Sequence, residues 1–149
     1  MEKVVRDMVR HTAVTILFLI LVGSLSAETS LEEYKSYLGN DLASVINDMG
    51  TPIKVLPRRG SVPEEDDCVF LYDNNLQLGI YTDHVWKISF TVNSIDEAES
   101  LIKSDPYQRL LWEKGASKVY QLKGNGFPIR LQVHKRDDDI WIHIYRGDL

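Results

Sequence analysis

A pattern that occurs twice constrains this chain more than any other feature. Ser30-Leu31-Glu32-Glu33 and Ser94-Ile95-Asp96-Glu97 share the Ser-x-x-Glu form. In that form serine and glutamate close a helix N-terminus reciprocally. Each copy continues through sequence for two short helices to a glycine, Gly50 or Gly115. Each then runs through strand-like segments to Asp83-His84-Val85-Trp86 or Asp138-Asp139-Ile140-Trp141. The repeat predicts an α+β fold of two tandem α-α-β-meander repeats, residues 28–92 and 93–149. Their helices would pack on antiparallel sheet, and the two halves would share one core, since each alone is too short for a good one. One detail resists the alignment. Trp86, Ile88 and Phe90 alternate in the first copy, but Ile140, Ile142 and Ile144 do so in the second. A one-residue slip exchanges the faces of a sheet, so the tryptophans match only if a bulge intervenes.

Residues 1–27 read as an export signal. Lys3, Arg6 and Arg10 precede an uncharged stretch from Thr12 to Leu25, and small residues follow. Cleavage is expected after Ala27, with Ser26 as the competing site and an uncleaved anchor as the alternative. No cysteine ends the apolar run, so lipid attachment there is excluded. The expected location is the periplasm, with outer-membrane association or secretion as variants. Membrane contact would come only through an uncut signal.

The chain carries a formal net charge of −5, and loss of the signal makes it one unit more negative. That argues against a nucleic-acid partner, which favours a basic stripe. Cys68 is the only cysteine, so an internal disulfide is excluded. Its neighbours Val69-Phe70-Leu71-Tyr72 read as a core strand, so a buried structural thiol is expected, with a reactive or intermolecular thiol as the alternative.

Local signals fill in the elements. Leu31, Tyr34 and Leu38 mark a first helix; Leu42, Val45, Ile46 and Met49 mark a second, capped by Asn40 or Asp41. Ile53–Leu56 is a candidate strand, followed by a loop through Asp67 with an acidic run from Glu64. Three strands follow: Cys68–Tyr72, Leu76–Thr82 and Val85–Val92. In the second copy Ala98, Leu101 and Ile102 mark one helix. Asp105-Pro106 then predicts a restart, with a cap residue and proline at the first helical position. Leu110, Leu111 and Trp112 would be its apolar face, and Gly115 its end. Val119–Leu122, Ile129–Lys135 and Ile140–Arg146 are the last strands.

Gly50-Thr51-Pro52, Val69-Phe70-Leu71-Tyr72-Asp73 and Val85-Trp86-Lys87-Ile88 stand in an order that resembles small bacterial envelope proteins of the SmpA/BamE type. The doubled form resembles the tandem arrangement of the β-lactamase-inhibitor protein family. The likeness extends over residues 39–91 and weakens beyond 94, where Ala116-Ser117 stands in place of Thr-Pro. It implies a non-enzymatic module that binds other proteins through its sheet or loops.

No catalytic constellation accompanies this pattern. There is no Gly-x-Ser-x-Gly elbow, and Gly124-Asn125-Gly126 reads as hairpin punctuation rather than a phosphate loop. No cofactor is implied. His134 and His143 lie on consecutive strands joined by an acidic turn, which leaves a small metal-dependent hydrolase as one alternative. A membrane-tethered structural protein is another. The main reading is geometric. If Ile140, Ile142 and Ile144 face the helices, Trp141, His143 and Tyr145 point outward, beside Arg130, Gln132 and His134 of the preceding strand. Such a row has the composition of a protein-recognition hot spot, with another envelope protein as partner. The competing possibilities are that the first module covers this face, or that alternation slips and Trp141 is core. Arg146-Gly147-Asp148 spells an integrin-type tripeptide too short to carry meaning.

Overall fold

Both N-terminal helices begin where capping chemistry puts them. Ser30 Oγ accepts from the Glu33 amide at 3.2 Å and opens α1 (Leu31–Tyr37). Asp41 Oδ1 accepts from the Ser44 amide at 3.0 Å and opens α2 (Leu42–Met49). Gly50 closes α2 at φ 80°, a conformation that costs glycine nothing. The third helix, α3 (Ile95–Lys103), is capped by Ser94 in the same way, at 3.1 Å. These elements belong to a computed structural model that describes residues 30–60, 67–73 and 75–149. The predicted signal, the acidic residues Glu64, Glu65 and Asp66, and Asn74 lie outside the described residues.

Eight strands form one antiparallel sheet. They are β1 (Lys54–Arg58), β2 (Asp67–Leu71), β3 (Gln77–Tyr81), β4 (His84–Val92), β5 (Arg109–Lys114), β6 (Ser117–Leu122), β7 (Ile129–Arg136) and β8 (Asp139–Arg146). Their order is β1-β2-β3-β4-β8-β7-β6-β5. Each half of the chain is thus a four-stranded meander, and the last strands of the two meanders pair at the centre. One face is apolar. Ile140, Ile142 and Ile144 of β8, Ile129, Leu131 and Val133 of β7, and Ile88 and Phe90 of β4 are buried there. Leu31, Leu38, Val45, Ala98 and Ile102 bring the helices onto the same core. Tyr34 stacks on Phe90 with ring centroids 4.1 Å apart.

This architecture overturns the prediction of two tandem α-α-β-meander repeats. The described residues form an open eight-stranded sheet with three short helices, and the second half has one helix where two were expected. Asp105-Pro106 does not restart a helix. Asp105 Oδ1 instead accepts from the Tyr107 amide at 2.9 Å, and the Asp105 carbonyl accepts from Gln108. That is an Asx-type turn, which uses the same side-chain chemistry as a helix cap. Leu110, Leu111 and Trp112 then run into edge strand β5, and Gly115 turns a tight hairpin into β6 rather than closing a helix. So short an apolar run fits strand and helix alike, and pairing with β6 decides between them. The first strand also outruns its prediction: Pro57 lies within β1, on the sheet edge where a missing amide costs nothing.

The turn at 105 is tied to the first helix. Lys35, only 1% exposed, reaches Asp105 Oδ2 at 2.9 Å and Glu32 Oε1 at 2.8 Å. The same Asp105 oxygen accepts the Lys123 amide at 3.1 Å. One carboxylate therefore fastens α1, the turn after α3 and the β6–β7 connection together.

A bulge resolves the tryptophan mismatch. Gly79 pairs with Lys87 but Ile80 with Val85, so Trp86 is an extra residue on β4. Val85, not Trp86, joins Ile88 and Phe90 in the core. The indole of Trp86 lies instead over Gly79 on the opposite face, where a Cβ on Gly79 would come within 3.0 Å of Nε1. The hairpin beside the bulge is strained. Thr82 and Asp83 both have positive φ, 48° and 59°, as a type I′ turn requires. A β-branched residue is a poor occupant of that conformation. Thr82→Asn is therefore expected to stabilise the protein by about 0.5–1 kcal/mol, a melting temperature about 1–4 °C higher. A thermal melt with an unchanged or lower midpoint would refute this account of the turn.

Candidate functional site: the outer face of the sheet

The face turned away from the helices is built by strict alternation on β7 and β8. Because Ile140, Ile142 and Ile144 are buried, Trp141, His143 and Tyr145 project from the other side, each half-buried. Arg130, Gln132 and His134 project beside them from β7, Arg130 exposed and the other two half-buried. All six residues singled out from the sequence therefore share one face. Cross-strand pairing puts Arg130 beside Tyr145, Gln132 beside His143, and His134 beside Trp141. Both halves contribute strands to the same sheet, so the first meander continues this face instead of covering it.

Hydrogen bonds hold the centre of the face. His143 Nδ1 lies 2.8 Å from Ser89 Oγ on β4, and Gln132 Nε2 donates to Ser117 Oγ on β6 at 2.8 Å. The Trp141 and His143 rings lie nearly parallel, 13° apart, with centroids separated by 6.0 Å. Burial, then the positive charge of Lys87 and the neighbouring His134, lowers the His143 pKa to about 4. The imidazole is consequently neutral near pH 7 and shaped as a packing and hydrogen-bonding group. Lys87 is itself shifted down, first by burial and then by Arg58, with Asp67 opposing.

Three buried side-chain atoms have no partner among the described residues: Asp67 Oδ1, Trp86 Nε1 and His134 Nδ1. Register places all three residues on this outer face. Buried polar atoms are nearly always hydrogen-bonded, so these mark the part of the molecule whose polar groups the fold itself leaves unsatisfied.

Sequence reasoning did not find several members of this surface. Trp86, Lys87 and Ser89 on β4 and Trp112 on β5 belong to it through the register of neighbouring strands. The bulge hid Trp86, and the mistaken helix hid Trp112. All three tryptophans of the chain end on one face, which only the pairing of strands reveals.

The histidines do not form a metal centre among the described residues. His134 and His143 are diagonal rather than opposite, and no group of three His, Cys, Asp or Glu side chains gathers there. The charges acting on His143 are cationic, and no hydrogen bond from it to a carboxylate is seen among the described residues. Cys68 sits on the helix-facing side of β2 opposite Ile80, its thiol pKa raised by burial, then by Asp67 and Asp83. Arg146 is folded onto its own neighbour, 2.8 Å from Asp148, with its guanidinium over Phe127. Compared with family models, with curated proteins and with solved structures, the chain matches none.

Proposed function

We propose that this chain is an exported, non-catalytic protein-binding module of the bacterial cell envelope, and that it binds through the outer face of its sheet. The observation that carries the reading is one outer face on which Trp86, Trp141 and Tyr145 flank a hydrogen-bonded His143–Ser89 centre, with Trp112 farther out on edge strand β5, and which none of the described helices covers. Tryptophan, tyrosine and arginine dominate the energetics of protein recognition, and partly buried aromatics held in place lose little entropy on binding. Residues 1–27 support the export part, and the SmpA/BamE-type likeness over residues 39–91 supports the envelope part.

The test is capture from envelope extract with the wild-type chain and a Trp141→Ala/Tyr145→Ala variant whose circular dichroism and melt match wild type. A specific partner is expected to be retained by wild type and weakened at least ~30-fold by the double substitution, as loss of two hot-spot side chains implies. A partner held equally by both would move binding to the loops and overturn the sheet-face reading.

A further inference from the structure

Charge divides the molecule in two. The three helices carry Glu32, Glu33, Asp48, Asp96, Glu97 and Glu99 against Lys35 and Lys103, and Lys35 is buried. The outer face has the opposite balance. Lys54 and Arg58 of β1, Lys87 of β4, and Arg109 and Lys114 of β5 project from it, as do Arg130 and Arg136 of β7. Six of these seven are exposed, and Lys87 is half-buried. Among the described strand residues the acids on the same face are Asp67 and Asp139. A chain of net charge −5 thus presents one basic face, and that face holds all three tryptophans.

Basic groups stand around the central aromatic side chains, and Trp112 lies among them on edge strand β5. Arg109, Lys114, Arg136, Lys54 and Arg58 occupy the edge strands and strand ends, whereas Trp141, His143, Ser89 and Gln132 lie at the centre. This is the plan of a protein interface, with a dry recognition core inside a charged rim. It differs from a nucleic-acid surface, where positive charge tracks a backbone as a stripe and the net charge of the domain assists.

From this arrangement we infer that the partner bound by the outer face is an acidic protein segment, with carboxylates flanking aromatic or aliphatic anchors. The inference rests on the sheet-face reading above and specifies its chemistry. The carboxylates meet the rim of Arg109, Arg130 and their neighbours, and the anchors settle against Trp141 and Tyr145. The acidic helices disfavour such a segment, although Lys118 of β6 and Lys135 of β7 lie on their side of the sheet, and the larger group of exposed cations is on the outer face. Charged rims act mainly on association rate and partner choice, so salt is the natural probe.

The experiment titrates the purified chain with a random glutamate–tyrosine copolymer and follows indole emission, excited where tyrosine does not absorb. Binding is expected to weaken as salt is raised, and to weaken at least ~10-fold in Arg109→Glu/Arg130→Glu, both exposed positions. Lys103→Glu, a single charge reversal on the helical side, should bind as wild type. Equal or tighter binding of single-stranded poly(U), or of anionic phospholipid vesicles, would overturn the inference in favour of those surfaces. So would copolymer binding indifferent to salt and to the Arg109/Arg130 reversal, or no binding at all. The envelope capture separates the two readings. A partner lost with Trp141→Ala/Tyr145→Ala but kept by Arg109→Glu/Arg130→Glu would overturn the acidic chemistry and leave the sheet face standing. A partner kept by both variants would overturn both.

Discussion

Asp105→Ala is expected to destabilise the fold by about 3–5 kcal/mol, the largest single-residue effect anticipated here. The carboxylate is buried and accepts from Lys35, Tyr107 and Lys123 at 2.9, 2.9 and 3.1 Å. Removing it leaves two backbone donors without their acceptor and a 1% exposed ammonium with only Glu32, whose own side chain is 69% exposed. Lys35→Met should cost less, because Asp105 would keep both backbone donors. The electrostatics run the same way. Burial alone would raise the Asp105 pKa, but the Lys35 bond and the two amides outweigh it and lower it. For Lys35, burial is outweighed by the bonds to Glu32 and Asp105, and the pKa rises. A depressed carboxylate contributes stability above its unfolded pKa and loses it as pH falls through the folded value. Urea unfolding of wild type, Asp105→Ala and Lys35→Met would measure the ordering. A cost for Asp105→Ala below ~1 kcal/mol would mean that the clip is ornamental.

The second large effect concerns His143. Its pKa falls from 6.5 to about 4 on folding, so below pH 6.5 the unfolded chain binds a proton that the folded chain refuses. Stability from this site is complete above pH 6.5 and is lost as pH drops toward 4. Allowing for partial exposure, the loss is about 2–3 kcal/mol. His143→Gln keeps a polar contact for Ser89 and cannot titrate. Between pH 7 and pH 4, wild type should therefore lose about 2–3 kcal/mol more than the variant. Equal losses in parallel denaturant series would show that the imidazole is not held neutral by its surroundings.

What the sequence disclosed depended on how local the signal was. The caps Ser30, Asp41 and Ser94 act within three residues and open the helices where their spacing predicts, though Glu97 bonds the Asn93 amide rather than that of Ser94. The alternation of Ile140, Ile142 and Ile144 is local too, and with it came the outward placement of Trp141, His143 and Tyr145. The failures were at positions decided by distant partners. Asp105 looks like a helix cap until Lys35 and Lys123 are seen to claim it. Leu110 to Trp112 look like a helix face until Tyr120 and Val119 pair with them. Trp86 changes sides because of one bulge, and no pattern within β4 announces it. The basic outer face is less legible still. Its seven cations are spread over four strands from both halves, and a whole-chain count records only an acidic protein.

The central pairing of β4 with β8 also sets the order in which this molecule can be completed. β4 is available early in synthesis, yet its inner neighbour is the last strand in the sequence. Contacts such as Phe90 with Ile142 close a long loop, and that kind of closure is slow. Until β8 arrives, each half is a meander with a bare apolar edge at what will become the middle. Because β8 joins the two meanders at the middle, its loss would be a failure of the whole sheet rather than of its margin.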